Sequence, residues 1–269
     1  MPTLERDDVT LHFTVEGSGP PLLMLAGFMS DHSSWDPLVA RLAPHFTCIR
    51  PDNRATGRTA PWDAPVSIDL MCKDALALMD HLGHELYHVI GHSMGGIIAL
   101  HMAQMVPMRM ASTHIAASAP VRLARNTALF ANLISIRRSA APPDTWLRAL
   151  FPWLFNPSVY DDPAAVDQAI ADSLAYPHAQ TADAMAHQLT ALRGFDGAAL
   201  ARPKCPTQVL IGALDLIVPP DHILAVLNHL PHHIVEGAGH SIHWDAPDVV
   251  AELTLQFAQQ NPIRGVLSS

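Results

Sequence analysis

Most of the features that would announce a function outright are missing from this chain. Its 269 residues hold three cysteines, Cys48, Cys72 and Cys205, far apart and in no C-x-x-C arrangement. That argues against a disulfide framework or thiolate metal site and predicts buried, reduced thiols. There is no H-E-x-x-H, and His232 and His233 are adjacent strand residues whose side chains point to opposite faces, so no metal is implied. No G-x-G-x-x-G or phosphate loop appears, so no nucleotide cofactor is implied either. The start, Met1 to Asp8, lacks the basic segment and apolar run of a secretory signal, and no run approaches the ~20 apolar residues of a membrane span. The expectation is a cytoplasmic protein that handles a small molecule, without a cofactor, a metal, nucleic acid or a membrane.

What is present is apolar bulk in an alternating pattern. Apolar residues make up 49% of the chain, enough for one large core in a single domain. Strand-like and helix-like runs alternate in the way that builds a parallel sheet. Residues near 3–6 and 9–15 suggest an opening antiparallel pair, Leu22 to Ala26 a central strand, Asp36-Pro37 a helix cap and first turn, and Phe46 to Arg50 another strand. From Ser67 to Leu82, Ile68, Met71, Ala75, Leu78, Met79 and Leu82 recur at helical spacing, and Gly83 follows as a C-cap. A strand around Thr113 to Ala117 and a last helix from Val249 to Gln259 continue the alternation.

The most informative stretch is Gly91-His92-Ser93-Met94-Gly95. A short apolar β-type run, Leu86 to Ile90, enters it and a long apolar helical run leaves it, the context of a nucleophile elbow. A serine on a sharp strand-to-helix turn projects its hydroxyl clear of the backbone. The glycines on either side remove Cβ atoms that would collide there. Met94 opens the helix, so its N–H and the positive end of the helix dipole point at any oxyanion forming beside Ser93.

A serine hydroxyl is a poor nucleophile near neutral pH and needs a base, which in turn needs an acid to fix its tautomer. Seventeen histidines compete for the first role. His240 stands out because it follows Glu236-Gly237-Ala238-Gly239 directly after the apolar pair Ile234-Val235, on a loop just past a strand end. His243 is its nearest rival, while His12, His84, His88, His178, His187 and His232 read as residues of polar or helical surface settings. For the acid, Thr207 to Gly212 reads as a buried parallel strand with Asp215 just beyond it in an apolar loop, where a carboxylate is costly to bury unless paired. Asp221, after Pro219-Pro220, is better placed to serve the following helix.

The resulting order, Ser93, Asp215, His240, is that of the α/β-hydrolases and not of the serine proteases. Over nearly its whole length the chain resembles the α/β-hydrolase superfamily. Leu25-Ala26-Gly27-Phe28, followed by Trp35, is similar to the family's oxyanion loop, and Asp52 to Thr59 to its D-x-R-G-x-G-x-S loop. Gly212 to Pro219 and Gly237 to His240 are similar to its acid and histidine loops. The resemblance implies a mostly parallel eight-stranded sheet flanked by helices with a helical cap, and an oxyanion hole formed by the N–H groups of Phe28 and Met94. Departures are local. Ala26 stands where many members have His, so bracing of that loop must come from elsewhere, and Ala55 and Thr59 replace a Gly and a Ser.

From about Val121 to Leu192 the alternation stops. There is no convincing strand, and prolines at 142, 143, 152, 157, 163 and 177 divide several probable helices. The expected division is a core of residues 1–120 and 193–269, with 121–192 inserted as a helical cap after the sixth strand. Apolar residues of the cap, among them Phe130, Trp146, Phe151 and Trp153, either line an apolar pocket or pack the cap on itself and the core. Between Val121 and Leu150, Arg122, Arg125, Arg137, Arg138 and Arg148 face Asp144 alone, a net +4 in a chain of net −9. A basic mouth would draw anionic substrates, whereas a solvated helix face would do nothing of the kind.

The sequence therefore predicts a serine hydrolase that cleaves carboxylic esters through an acyl-enzyme on Ser93, with His240 as base and Asp215 orienting it. Lactone opening of the enol-lactonase type or carbon–carbon bond hydrolysis would use the same residues. A member of the fold that only binds a ligand is the non-catalytic alternative.

Overall fold

The structure, a computed structural model, describes residues 2–263. Eight strands form one sheet: β1 (Thr3–Glu5), β2 (Thr10–Gly17), β3 (Pro21–Leu25), β4 (Thr47–Pro51), β5 (Tyr87–His92), β6 (Met110–Ala116), β7 (Thr207–Gly212) and β8 (His232–Val235), in spatial order β1-β2-β4-β3-β5-β6-β7-β8. The β1–β2 and β2–β4 pairs are antiparallel and the remaining pairs are parallel. The connecting helices are α1 (Asp36–Leu42), α2 (Ile68–His81), α3 (Met94–Met105), α4 (Ala124–Arg137), α5 (Thr145–Leu154), α6 (Pro163–Ala175), α7 (Ala182–Leu189), α8 (Gly197–Leu200), α9 (Pro220–Leu227), α10 (Ile242–Asp245) and α11 (Pro247–Gln260).

The central strands are buried along nearly their whole length because helices cover both faces of the sheet. Their two-residue period still sorts the side chains. Leu23 and Leu25 of β3, Val89 of β5, Ile115 of β6 and Val209 and Ile211 of β7 pack with residues of α2, α3 and α9. Leu22, Met24, Ile90, Ala116 and Leu210 pack on the opposite face with Trp35 and residues of α1 and α11. Burying each such side chain contributes about 1.5–3 kcal/mol.

Local chemistry sets the helix ends. Ser67 caps α2 by accepting the Leu70 N–H, and Gly83 ends it with φ 74. Asp36 lies in the first turn of α1, preceded by a 3₁₀ turn whose cap is Asp31. Between β6 and β7 the described chain contains helices and loops but no strand. Pro163 begins α6, and the other prolines of this stretch lie outside the α-helices, except Pro152, which sits in the last turn of α5 and does not break it.

Two sequence expectations need correction. His12 and His88 are not at the surface: they are 2% and 1% exposed. His12 meets Asp52 through β2–β4 pairing, and His88 bonds Ser112 across β5–β6. Cys48 and Cys72 are buried free thiols as expected, but Cys205 is only partly buried. No helix among the described residues is long and apolar enough to cross a membrane.

Candidate active site

Parallel register brings the predicted residues together. Leu25 pairs with Gly91, His92 with Ala116, Ala116 with Leu210, and Gly212 with Val235, so the carboxyl ends of β3, β5, β7 and β8 lie along one edge of the sheet. Phe28 follows β3, Ser93 follows β5, Asp215 follows β7 and His240 follows β8. Ser93 and His240, 147 positions apart, thus meet because each lies a few residues past a strand end.

Ser93 has φ 51 and ψ −118, a conformation that L-residues avoid, and its carbonyl receives the Gly96 N–H and the Ser118 hydroxyl, at 2.9 and 2.6 Å. Its Oγ lies 3.0 Å from His240 Nε2. His240 Nδ1 lies 2.9 Å from Asp215 Oδ2. The other Asp215 oxygen accepts the N–H groups of Ile217 and Val218, both at 2.8 Å, so the carboxylate is held from two sides. Met94 is the first residue of α3, where the helix itself has no acceptor for the N–H. Gly212 lets the acid and histidine loops touch: a Cβ there would lie 2.2 Å from the Gly239 carbonyl oxygen.

The rivals sit elsewhere. His243 is fully enclosed with its ring centre 4.4 Å from His92 and 4.8 Å from Trp35, and burial, reinforced by His240, pushes its pKa down to about 3. Asp221 lies in the first turn of α9, where its charge meets the helix dipole.

Several supporting residues carry no sequence signal of their own. His92 Nε2 donates to the His240 carbonyl oxygen at 2.8 Å, and burial, with the His243 and His240 rings adding to it, drives its pKa well below the ordinary histidine value. Asp245 accepts the Gly239 N–H at 2.7 Å and the Asn156 N–H at 3.0 Å, tying the histidine loop to the end of α5. The bracing that Ala26 cannot supply comes from two amides. Asn53 donates to the Ala26 carbonyl at 2.9 Å, and Gln188 of α7 accepts the Met29 N–H at 3.0 Å.

One cluster has the residue types of a metal site: His12, His32 and Asp52, all buried. Burial alone would raise the Asp52 pKa, but hydrogen bonds from His32 and the Arg58 N–H hold it below the usual carboxylate value. Its oxygens accept His12 Nδ1 and the Arg58 N–H on one side, and His32 Nδ1 and the His32 N–H on the other. With both Nδ1 atoms donating to the carboxylate, neither offers a lone pair to a cation, and the cluster reads as a hydrogen-bonded knot that anchors the Asp52–Thr59 loop.

Beside Ser93 opens a cavity of about 370 Å³ whose lining includes Phe28, Met94, Ile97, Phe130 and Phe195. Of the apolar residues of 121–192 singled out from the sequence, Phe130 alone belongs to that lining. Leu133, Ile134 and Leu150 join the main core, and Phe151 packs with Leu147, Val166 and Ile170.

Fold and site together define an α/β hydrolase. Residues 22–253 match the alpha/beta hydrolase family, and the chain belongs to it. It is 28% identical over 266 residues to the protein of Azorhizobium caulinodans named "Putative carbamate hydrolase RutD", covering 96% of this chain and 98% of that one. Among solved structures it is similar to the enol-lactonase from Burkholderia xenovorans LB400, with TM-score 0.82, 23% identity and coverage of 96% and 100% of the two chains. A thermophilic esterase from Thermogutta terrifontis gives TM-score 0.80, 22% identity and coverage of 97% and 99%. At these identities the two structures bear on the fold alone.

Proposed function

We propose that the protein is a serine hydrolase that cleaves carboxylic esters through an acyl-enzyme on Ser93. The observation that carries this reading is the unbroken chain of contacts from Ser93 Oγ to His240 Nε2 at 3.0 Å and from His240 Nδ1 to Asp215 Oδ2 at 2.9 Å. His240 takes the hydroxyl proton as Oγ attacks the carbonyl carbon. Asp215 steadies the imidazolium, and the Phe28 and Met94 N–H groups hold the oxyanion. Collapse of the tetrahedral adduct breaks the ester C–O bond, and His240 returns the proton to the leaving alkoxide. A water then adds to the acyl group, giving its proton to His240, and the acid leaves as Ser93 recovers its proton.

Residues 121–192 act in this reading as the cap that encloses the acyl or alcohol arm. The family likeness to a protein named as a carbamate hydrolase favours one second reading, attack by the same serine on a carbamate carbonyl. A cavity of about 370 Å³ exceeds what a bare carbamate fills and suits an ester with several carbons beyond the scissile bond.

Fluorophosphonate labelling tests the serine. Rapid modification of Ser93, lost in His240→Ala, is the expected result, and hydrolysis rates across p-nitrophenyl esters, lactones and carbamates then rank the acyl classes. A folded protein whose Ser93 resists the reagent would overturn the reading in favour of a ligand-binding member of the fold.

A further inference from the structure

The arginines of the 121–150 stretch do not act as one patch. Arg138 pairs with Asp183, and Arg148 with Asp144 and Asp167. Arg137 lies over the Trp146 ring at 4.4 Å. Arg125 donates to the Leu216 carbonyl at 2.6 Å. Only Arg122 lines the cavity beside Ser93, and it is joined there by Arg193, from the 3₁₀ turn Ala191–Arg193 that precedes β7. The two are tied together, because Arg122 Nη1 donates to the Arg193 carbonyl oxygen at 2.9 Å.

Two features of this arrangement point to a ligand. Arg122 and Arg193 are the charged residues of the cavity lining, which contains no aspartate or glutamate. Neither guanidinium forms an ion pair with a carboxylate among the described residues, in contrast to Arg54, Arg138 and Arg148. A chain of net charge −9 thus sets two arginines, both exposed to solvent, at a cavity beside its serine whose other polar lining residues, Ser93, Ser118, Asn126 and Thr127, are all uncharged. A cleft lined by charge of one sign raises the local concentration of ligands of the opposite sign. A guanidinium fork is shaped to hold a carboxylate or phosphate oxygen pair.

We propose that Arg122 and Arg193 form an anion subsite, so that the substrates are esters with a negatively charged group at the far end of an apolar arm. The inference rests on the serine-hydrolase reading of Ser93. The arm lies against Phe28, Ile97, Phe130 and Phe195 while the charge meets the two guanidiniums.

The test compares p-nitrophenyl hydrogen adipate, a monoanion, with neutral p-nitrophenyl hexanoate in the wild type, in Arg193→Gln and in Arg122→Gln/Arg193→Gln. Arg193→Gln keeps the Arg122 hydrogen bond to the backbone, so its folding is not at issue. The wild type should favour the anion in kcat/KM by at least about tenfold, a preference weakened by added salt, and the double variant should bring the ratio close to one. The rate on the neutral ester should change far less than the rate on the anion. An unchanged ratio with both esters still cleaved overturns the subsite and leaves the hydrolase reading standing. Equilibrium binding of monomethyl adipate to Ser93→Ala separates the other case. Binding that is lost in Ser93→Ala/Arg193→Gln supports the anion subsite even where neither ester is cleaved. Absence of binding and of turnover sinks both.

Discussion

His92 Nε2 donates to the carbonyl oxygen of His240, 2.8 Å away, so the residue before Ser93 holds the backbone of His240. Burial keeps the His92 ring neutral, and a neutral ring whose Nε2 donates to a carbonyl carries its single proton there. The contact links the elbow to the histidine loop without touching the reacting atoms.

Replacing His92 with Phe should therefore lower kcat on the order of 10–100-fold with little change in KM, since an ångström of misplacement at the base costs rate and not binding. His92→Gln, which keeps a donor at similar reach, should recover most of the loss. Steady-state kinetics on one p-nitrophenyl ester reads both effects, and equal kcat values in all three proteins would refute the positioning role.

The backbone of Ser93, at φ 51 and ψ −118, stores strain. Ser93→Gly should raise the unfolding free energy by about 1 kcal/mol while abolishing turnover, because glycine enters this region without penalty. Ser93→Ala should also abolish turnover yet gain no such stability, its Cβ being retained. Urea unfolding of the two variants makes the comparison, and a glycine variant no more stable than the alanine one would contradict the strain argument.

Ser93, Asp215 and His240 could be recognised from the sequence because each follows a strand within a few residues, and parallel strands in register deliver their carboxyl ends to one edge whatever their separation in the chain. Contacts made by pairing across the sheet or by side chains of an inserted helix leave no such trace. His12 and Asp52 meet through antiparallel β2 and β4, and Gln188 reaches Met29 from α7. Isolated in sequence, His12 and His88 look like polar surface residues, and nothing local marks Arg193 as a neighbour of Arg122. The charge pattern of the cap located one cavity arginine and four that do other work, since ion pairing and stacking depend on which helix faces lie opposite.

Buried histidines should make the fold acid-labile. Burial lowers the pKa of His88 to about 4, that of His114 to about 3 with His88 contributing, and that of His243 to about 3 with His240 contributing. Unfolded, the same groups take up protons near pH 6.5, so below that pH the unfolded chain binds more protons than the folded one and stability falls as pH falls. Each group contributes a slope of about 1.4 kcal/mol per pH unit, and these three, to which the buried His92 adds, predict a loss of at least about 4 kcal/mol between pH 6 and 5. Urea titrations at these two pH values measure it. His114→Gln should flatten the slope by about 1 kcal/mol per pH unit whatever its own stability, and a stability independent of pH between 6.5 and 5 would contradict the prediction.

Gly95 and Gly83 separate two reasons for having glycine. At Gly83, φ is 74 and a Cβ would meet nothing within 4 Å, so alanine there carries only the left-handed backbone penalty. Gly83→Ala should cost about 1 kcal/mol and leave activity intact. At Gly95 a Cβ would lie 1.9 Å from the Leu25 carbonyl oxygen and 2.8 Å from that of Ala26. Those atoms belong to the end of β3 and the start of the loop carrying Phe28, and they cannot move aside as a side chain would. Gly95→Ala should cost at least about 3 kcal/mol and reduce kcat/KM by more than the stability loss explains, because relief of the clash displaces the loop that carries Phe28 from the turn that carries Ser93. Thermal unfolding and kinetics on the same preparations decide it: a Gly95→Ala protein as stable and as active as Gly83→Ala would mean that the loop and the elbow are not packed backbone to backbone.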